Sequence, residues 1–403
     1  SEPAALKRRS GYSAGFAASR VTRKAQRGGG GYRLRLTEAP TALREGLADF
    51  ERFLTQKFFG QQQKPIRAVT AAKYADHMRG LLGWLNRERG VPLQELCFRT
   101  AFPSVERDGV RLAFDHVEWL KRERGIAASS EVNVLAAYIA AAKFTYHAQS
   151  SVRPGQSEKA YSDLPVVSEL RGMHRDATSR ARVAAPVSVE ESKWIDWPVY
   201  LQLVKALEVD ALEAKRTNGK PRTPREAASA MQTYLLFAIL ASVPDRQRTL
   251  RELQLGRTLF KDEGGYVIRH GPDDYKTGGE YGQRPPLHLT AYLTPFLDTW
   301  LSTHRAAFGP KHEFVFTASN GLPLSEQGVY RRFTMASYAF TGQRLNPHLL
   351  RHSIVSHLKR SSTSEQELES LALYMGHSVQ MQRSSYDRRS VGEKVKPAVS
   401  LLE

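Results

Sequence analysis

A single cysteine, Cys97, in 403 residues leaves no intramolecular disulfide to form and no thiolate set for a structural zinc. No apolar run approaches the roughly 18–20 residues that a membrane-crossing helix requires. No charged-then-apolar segment of the signal-peptide kind opens the sequence. Acids are scarce beside bases, with 41 Asp+Glu against 59 Lys+Arg and a net charge of +18. The hydrophobic share of 41% and the charged share of 25% exclude a disordered, collagen-like or membrane composition. The expectation is an intracellular, soluble, basic protein, long enough for two domains that each bury a core. Its positive balance calls for a polyanion, and nucleic acid is the commonest one.

Residues 1–32 read as a flexible basic tail. Seven basic residues stand against Glu2, large apolar residues are few, and Gly28 to Gly31 form a run of four glycines. That run lacks the preceding strand and following helix of a phosphate cradle. Residues 33–175 read as a helical bundle. Leu43, Leu47, Phe50 and Leu54 repeat at helical spacing. A second face holds Tyr74, Met78, Leu81 and Leu85 behind a possible cap at Thr70. Phe114, Val117 and Leu120 suggest a third helix, and Val132, Leu135, Ile139 and Ala142 a fourth. Residues 176–192 have little periodicity and are placed as an interdomain linker. From 193 a second domain begins. Helices are expected over Trp197–Leu207 and Ala227–Ser242, and short strands over Tyr266–His270, Pro286–Leu289 and Phe314–Phe316. The fold class expected is therefore mainly α, with a small β-sheet in the C-terminal domain.

The segment Leu345 to Leu358 carries the sharpest chemical pattern. Asn346 suits an N-cap and Pro347 the first helical position. His348 and Arg351, three apart, share a face of the first turn, where exposed N–H groups and the helix dipole favour an anion. Leu350, Ile354 and Leu358 form a separate apolar stripe. Further on, Gly376-His377 ends an apolar helix at a glycine stop. Tyr386 follows nine residues after His377, amid Ser384, Ser385, Asp387, Arg388 and Arg389, with no apolar periodicity to bury it. His348 and His352 are spaced i, i+4, but no Glu lies between them as in HExxH, and His357 is off that face. They are read as packing or polar-contact residues, and no metal site is expected.

His-x-x-Arg, then Gly-His 26 residues later, then Tyr nine beyond, resembles the tyrosine recombinase (phage-integrase-type) family of site-specific DNA recombinases. The likeness covers about 194–390. The helical bundle before it is similar to that family's core-binding domain in type and placement. The resemblance implies an α+β catalytic domain over 193–390. It also implies a first arginine and a mobile lysine. Lys276, in Tyr275-Lys276-Thr277-Gly278 between two strand candidates, fits the lysine, with Lys261 the lesser candidate. For the arginine, Arg246, Leu250 and Leu253 fit the family frame with Thr249 in the usual Glu place. A shift by two puts Arg248 in register and stays open as the alternative.

The implied chemistry is cleavage and rejoining of duplex DNA through a 3′-phosphotyrosyl link, with no cofactor and no metal. Tyr386 would be the nucleophile, His348 the proton acceptor and Lys276 the general acid. Arg246, Arg351 and His377 would hold the phosphate. Neither a Walker motif nor a carboxylate metal cluster is present in the sequence, and neither is required. The family also implies double-stranded DNA as partner, a monomer or dimer on one site, a homotetramer on synapsed sites, and a cytoplasmic, nucleoid-associated location without membrane contact. Residues 391–403 are expected to be a segment exchanged between subunits. A telomere resolvase, a type IB topoisomerase-like enzyme or a catalytically inactive DNA-binding relative are the alternatives.

Affinity for duplex DNA is expected to fall by roughly 10³-fold or more between about 50 and 200 mM salt, because phosphate contacts release counterions. Fluorescence anisotropy over that salt series checks this, and a loss under about tenfold would contradict it.

Overall fold

The computed structural model describes residues 6–8, 31–59, 61–152, 159–184, 193–216, 218–361, 363–376 and 378–382. The chain divides into two compact units, residues 26–188 and residues 189–403 together with 1–25. Each has its own hydrophobic core. Among the described residues no helix is long and apolar enough to cross a membrane.

Among its described residues the first unit is helical, and the expected faces are buried in large part, with Tyr74, Val132 and Ile139 half-buried. Helix α1 (Thr41–Thr55) buries Leu43, Leu47, Phe50 and Leu54 on one face. Helix α2 (Ala68–Arg89) buries Met78, Leu81 and Leu85. It starts earlier than the Thr70 cap suggests, because the Thr70 N–H already donates to the Arg67 carbonyl within the first turn. Helix α3 (Arg111–Arg124) buries Val117 and Leu120, while Phe114 points outward and Ala113 faces the core in its place. In helix α4 (Ala128–Tyr146) alanines let neighbours come close, and the helix packs on α2 and on helix α5 (Pro165–Val183).

Two boundaries differ from those the composition suggested. Residues 176–183, expected in a linker, are the second half of α5. That half is held by buried Ala177 and by an ion pair of Arg180 with Glu131 at 2.7 Å. Glu131 is 4% exposed and also meets Lys121 at 3.1 Å, so one buried carboxylate joins α3, α4 and α5. An ion pair leaves no apolar periodicity to read. The expected tail over 1–32 is also too long. Tyr32 packs edge-on against Trp119 at 4.9 Å in the helical unit, and Leu6 packs on the core of the other unit.

In the second unit, helix α6 (Trp197–Leu212) packs on helix α7 (Pro224–Ser242). Thr223 caps α7 reciprocally with Glu226, its hydroxyl accepting from the Glu226 N–H while the Glu226 carboxylate accepts from the Thr223 N–H. An antiparallel sheet follows, β1 (Leu259–Asp262), β2 (Gly265–Ile268) and β3 (Leu287–His288), in the order β1-β2-β3. Val267 pairs with His288 and Ile268 with Leu287, so the long β2–β3 connection leaves and returns at one end of the sheet. Strand β1 was not anticipated, since Leu-Phe-Lys-Asp does not alternate apolar with polar residues. Phe314–Phe316 is not a strand. It makes an isolated bridge between Phe314 and Gln254 and sends Val315 and Phe316 into the core. Helices α8 (Glu326–Thr341), α9 (Pro347–Arg360) and α10 (Glu365–Tyr374) complete the described part. The segment 391–403 lies outside the described residues.

Gly83 sits mid-helix in α2, where a Cβ would stand 2.2 Å from the Tyr32 carbonyl oxygen and 2.6 Å from the Leu34 nitrogen. Both are backbone atoms and cannot swing away. Gly83→Ala should therefore destabilise the protein by about 1–3 kcal/mol, although alanine is the better helix former by about 1 kcal/mol. Thermal unfolding checks the sign, and an unchanged or raised midpoint would show that the Tyr32–Leu34 segment does not lie there.

Candidate active site

The end of α7 delivers the first site residues. Val243 and Pro244 leave the helix, and Asp245 and Arg246 follow before the helical turn Gln247–Arg251. Arg246 is the N-cap of that turn. Its own N–H donates to the Asp245 carboxylate at 2.7 Å, and its side chain is half-buried. Arg248 is exposed and donates to Glu252 at 2.8 Å.

Helix α9 begins as its sequence requires. The Asn346 side chain accepts from the His348 N–H at 3.0 Å, and Pro347 occupies the first helical position. His348 and Arg351 then share a face but not an environment. His348 keeps an exposed edge, whereas Arg351 is 1% exposed. The Arg351 guanidinium donates to the Pro244 carbonyl at 3.0 Å and to the Met375 carbonyl at 2.8 Å. It thereby ties the start of α9 to the end of α7 and to the turn after α10. The His348 ring stands edge-on to the buried His352 ring at 5.6 Å.

Lys276 is exposed on the β2–β3 connection, while its neighbour Tyr275 is buried and donates its hydroxyl to the Gly282 carbonyl at 2.7 Å. Lys261, on β1, is engaged by Asp298 at 2.7 Å. Three cations therefore come together at His348. Burial, then the charges of Arg351, Arg246 and Lys276, push its pKa below the usual value of 6.5. Arg248 pairs with Glu252 and Lys261 with Asp298 instead. The structure gathers Arg246, Lys276, His348 and Arg351. His377 and Tyr386 lie outside the described residues.

Sequence reasoning missed the groups that hold this cluster. Asp245, 6% exposed, accepts from Arg284 at 2.6 Å and lies 3.9 Å from Arg351 and 4.0 Å from His270. Arg284 is buried as well and donates to the Tyr374 carbonyl. Burial pushes the His270 pKa down, against the pull of Asp245. An acid beside the first arginine, and an arginine just before the third strand, were visible in the sequence. Nothing local showed that they meet.

Gly376 follows α10 with φ of +66°, the left-handed conformation that glycine adopts at least cost. The glycine stop expected there closes the turn after α10.

The description phage integrase family matches residues 211–390, which span every one of these elements from the end of α6 onward. Residues 211–390 thus resemble a phage integrase domain. The XerC tyrosine recombinase of Pseudomonas syringae pv. tomato is 40% identical over 81 residues, 20% of this chain and 26% of the relative. That of Pseudomonas fluorescens is 38% identical over 82 residues, again 20% and 26%. The match thus spans about a quarter of the length of these curated relatives. Among solved structures, the XerH site-specific recombinase bound to palindromic difH substrate, a post-cleavage complex, gives a TM-score of 0.51 at 14% identity. It covers 83% of this chain and 80% of that one. The pre-cleavage complex of XerH on difH gives 0.50 at 14% identity. At that identity the likeness is one of fold, a helical N-terminal part with an integrase domain.

The integrase-domain cluster makes a direct electrostatic prediction. Burial first, and then the charges of Arg351, Arg246 and Lys276, lower the His348 pKa. Arg246→Gln should raise its titration midpoint toward 6.5, because one repelling charge is gone, whereas Arg248→Gln should leave it in place. NMR titration of the His348 ring checks both. An unmoved midpoint in Arg246→Gln would mean that the two side chains are not neighbours.

Proposed function

We propose that this chain is a site-specific DNA recombinase that cleaves and rejoins duplex DNA through a phosphotyrosyl intermediate on Tyr386. The observation that carries the reading is the gathering of Arg351, Arg246 and Lys276 at one imidazole, His348, whose pKa burial and then their charges lower. Cations concentrated without a matching set of acids fit a site built for an anion, and a phosphodiester is the anion that a basic chain of +18 meets on nucleic acid. The integrase domain and the recombinase relatives support the same reading.

In this reaction the Tyr386 phenol attacks the phosphorus in line, the P–O5′ bond breaks, and a 3′-phosphotyrosyl link remains. A phenol with an ordinary pKa near 10 needs a proton acceptor, and neutral His348 supplies one. Lys276 gives its proton to the departing 5′-oxygen. Arg246 offers forked donors to the non-bridging oxygens as their charge grows, Arg351, held on the Pro244 and Met375 carbonyls, adds its positive charge from the interior, and His377 adds one more donor. The link conserves the energy of the broken bond, so a 5′-hydroxyl from a second strand can reverse the step. Exchange between two sites calls for four protomers on synapsed DNA, with residues 391–403 passing between neighbours.

A pool of nicked, random-sequence duplexes tests this, because loss of the short strand past the nick traps any covalent adduct. Wild type should yield a denaturation-resistant protein–DNA adduct, Tyr386→Phe none, and Lys276→Ala a rate lower by about 10²-fold or more. An adduct persisting in Tyr386→Phe would reject Tyr386 as nucleophile. Two-site plasmids built from the recovered sequence then separate strand exchange from relaxation of supercoils.

A further inference from the structure

Three consecutive carbonyls at the end of α10 are held by three side chains. Tyr374 O accepts from Arg284, Met375 O from Arg351 at 2.8 Å, and Gly376 O from the Thr277 hydroxyl at 2.8 Å. Arg351 comes from α9. Arg284 and Thr277 both come from the β2–β3 connection, and Thr277 is the residue after Lys276. The same connection is braced internally. Arg284 is pinned by Asp245 at 2.6 Å, its guanidinium lies 5.1 Å from the centre of the Tyr275 ring, and Tyr275 closes the loop onto Gly282.

Lys276 itself is exposed. A long, flexible side chain delivers a proton to one chosen oxygen only where its backbone is fixed, because misplacement by about 1 Å costs catalysis heavily. The nearest fixed point is the bond made by Thr277, and that bond ends on Gly376, the residue before His377. It joins two chain segments 99 residues apart through a part-buried hydroxyl. A single neutral hydrogen bond of this kind contributes little to global stability, so its placement matters more than its strength.

We infer that Thr277 is a positioning residue. Its hydroxyl fastens the Lys276 backbone to the Gly376 turn, so the proton donor is held in one place against the end of α10. The inference rests on the function proposed above. Thr277 touches no reacting atom and acts through Lys276.

The test uses full-length protein and a nicked duplex of the sequence recovered from the adduct pool, made in two forms. One has an ordinary scissile phosphodiester and the other a sulfur at the 5′-bridging position. Departing sulfur leaves as a thiolate and takes no proton, so it bypasses Lys276. On ordinary DNA, Thr277→Val should slow adduct formation by roughly 3–10-fold, the effect of one lost hydrogen bond, and Thr277→Ser, which keeps the hydroxyl, should restore the rate. On the sulfur-bridged duplex Thr277→Val should match wild type. A wild-type rate for Thr277→Val on ordinary DNA overturns the inference. So does an equal deficit on both duplexes, which would mark a general structural defect. A wild type that forms no adduct on either duplex overturns the proposed function and this inference with it, whereas a normal wild type beside an unaffected variant overturns this inference alone.

Discussion

Two guanidinium groups, Arg284 and Arg351, lie almost wholly inside the integrase domain, and an unpaired buried charge is among the most costly features a fold can carry. Asp245 makes them tolerable. Its carboxylate takes a 2.6 Å bond from Arg284, stands 3.9 Å from Arg351 and caps the N–H of Arg246. Backbone carbonyls of Pro244, Tyr374 and Met375 complete the shell. Because these partners come from the end of α7, the β2–β3 connection, α9 and the turn after α10, the network that neutralises the arginines also fixes the relative positions of those four elements.

The same arrangement leaves a gradient of charge from inside to outside. In the interior, Asp245 offsets the guanidiniums. At the rim, Arg246 is half-buried and Lys276 and His348 are exposed. Burial, and after it the positive field of Arg351, Arg246 and Lys276, lowers the His348 pKa.

The helical unit solves a related problem in the same way. Glu131 lies buried between Lys121 and Arg180 and joins three helices, much as Asp245 and its two arginines join four elements in the integrase domain. In both units a buried acid, rather than apolar area alone, fixes which segments meet. Such contacts are specific in a way that alanine-rich packing, as in α4, is not. They also explain why a polar stretch such as 176–183 is a helix in the fold.

Local rules sufficed for several features of this chain. Asn346-Pro347 starts α9, the Leu350 and Ile354 stripe buries it, Gly376 stops the chain after α10, and alternating leucines and phenylalanine define α1, because capping, glycine geometry and periodicity act within a few residues. The His-x-x-Arg pair, and the lysine lying between two strands, were legible for the same reason. Tertiary structure decided the rest. Arg246 stands near His348 while Arg248 turns to Glu252, and Lys276 lies near that ring while Lys261 binds Asp298. Asp245 finds Arg284 at a separation of 39 residues and Arg351 finds Pro244 at 107. Neighbouring residues of one type carry identical chemistry in a sequence, and they differ only through the partners that folding brings from far along the chain.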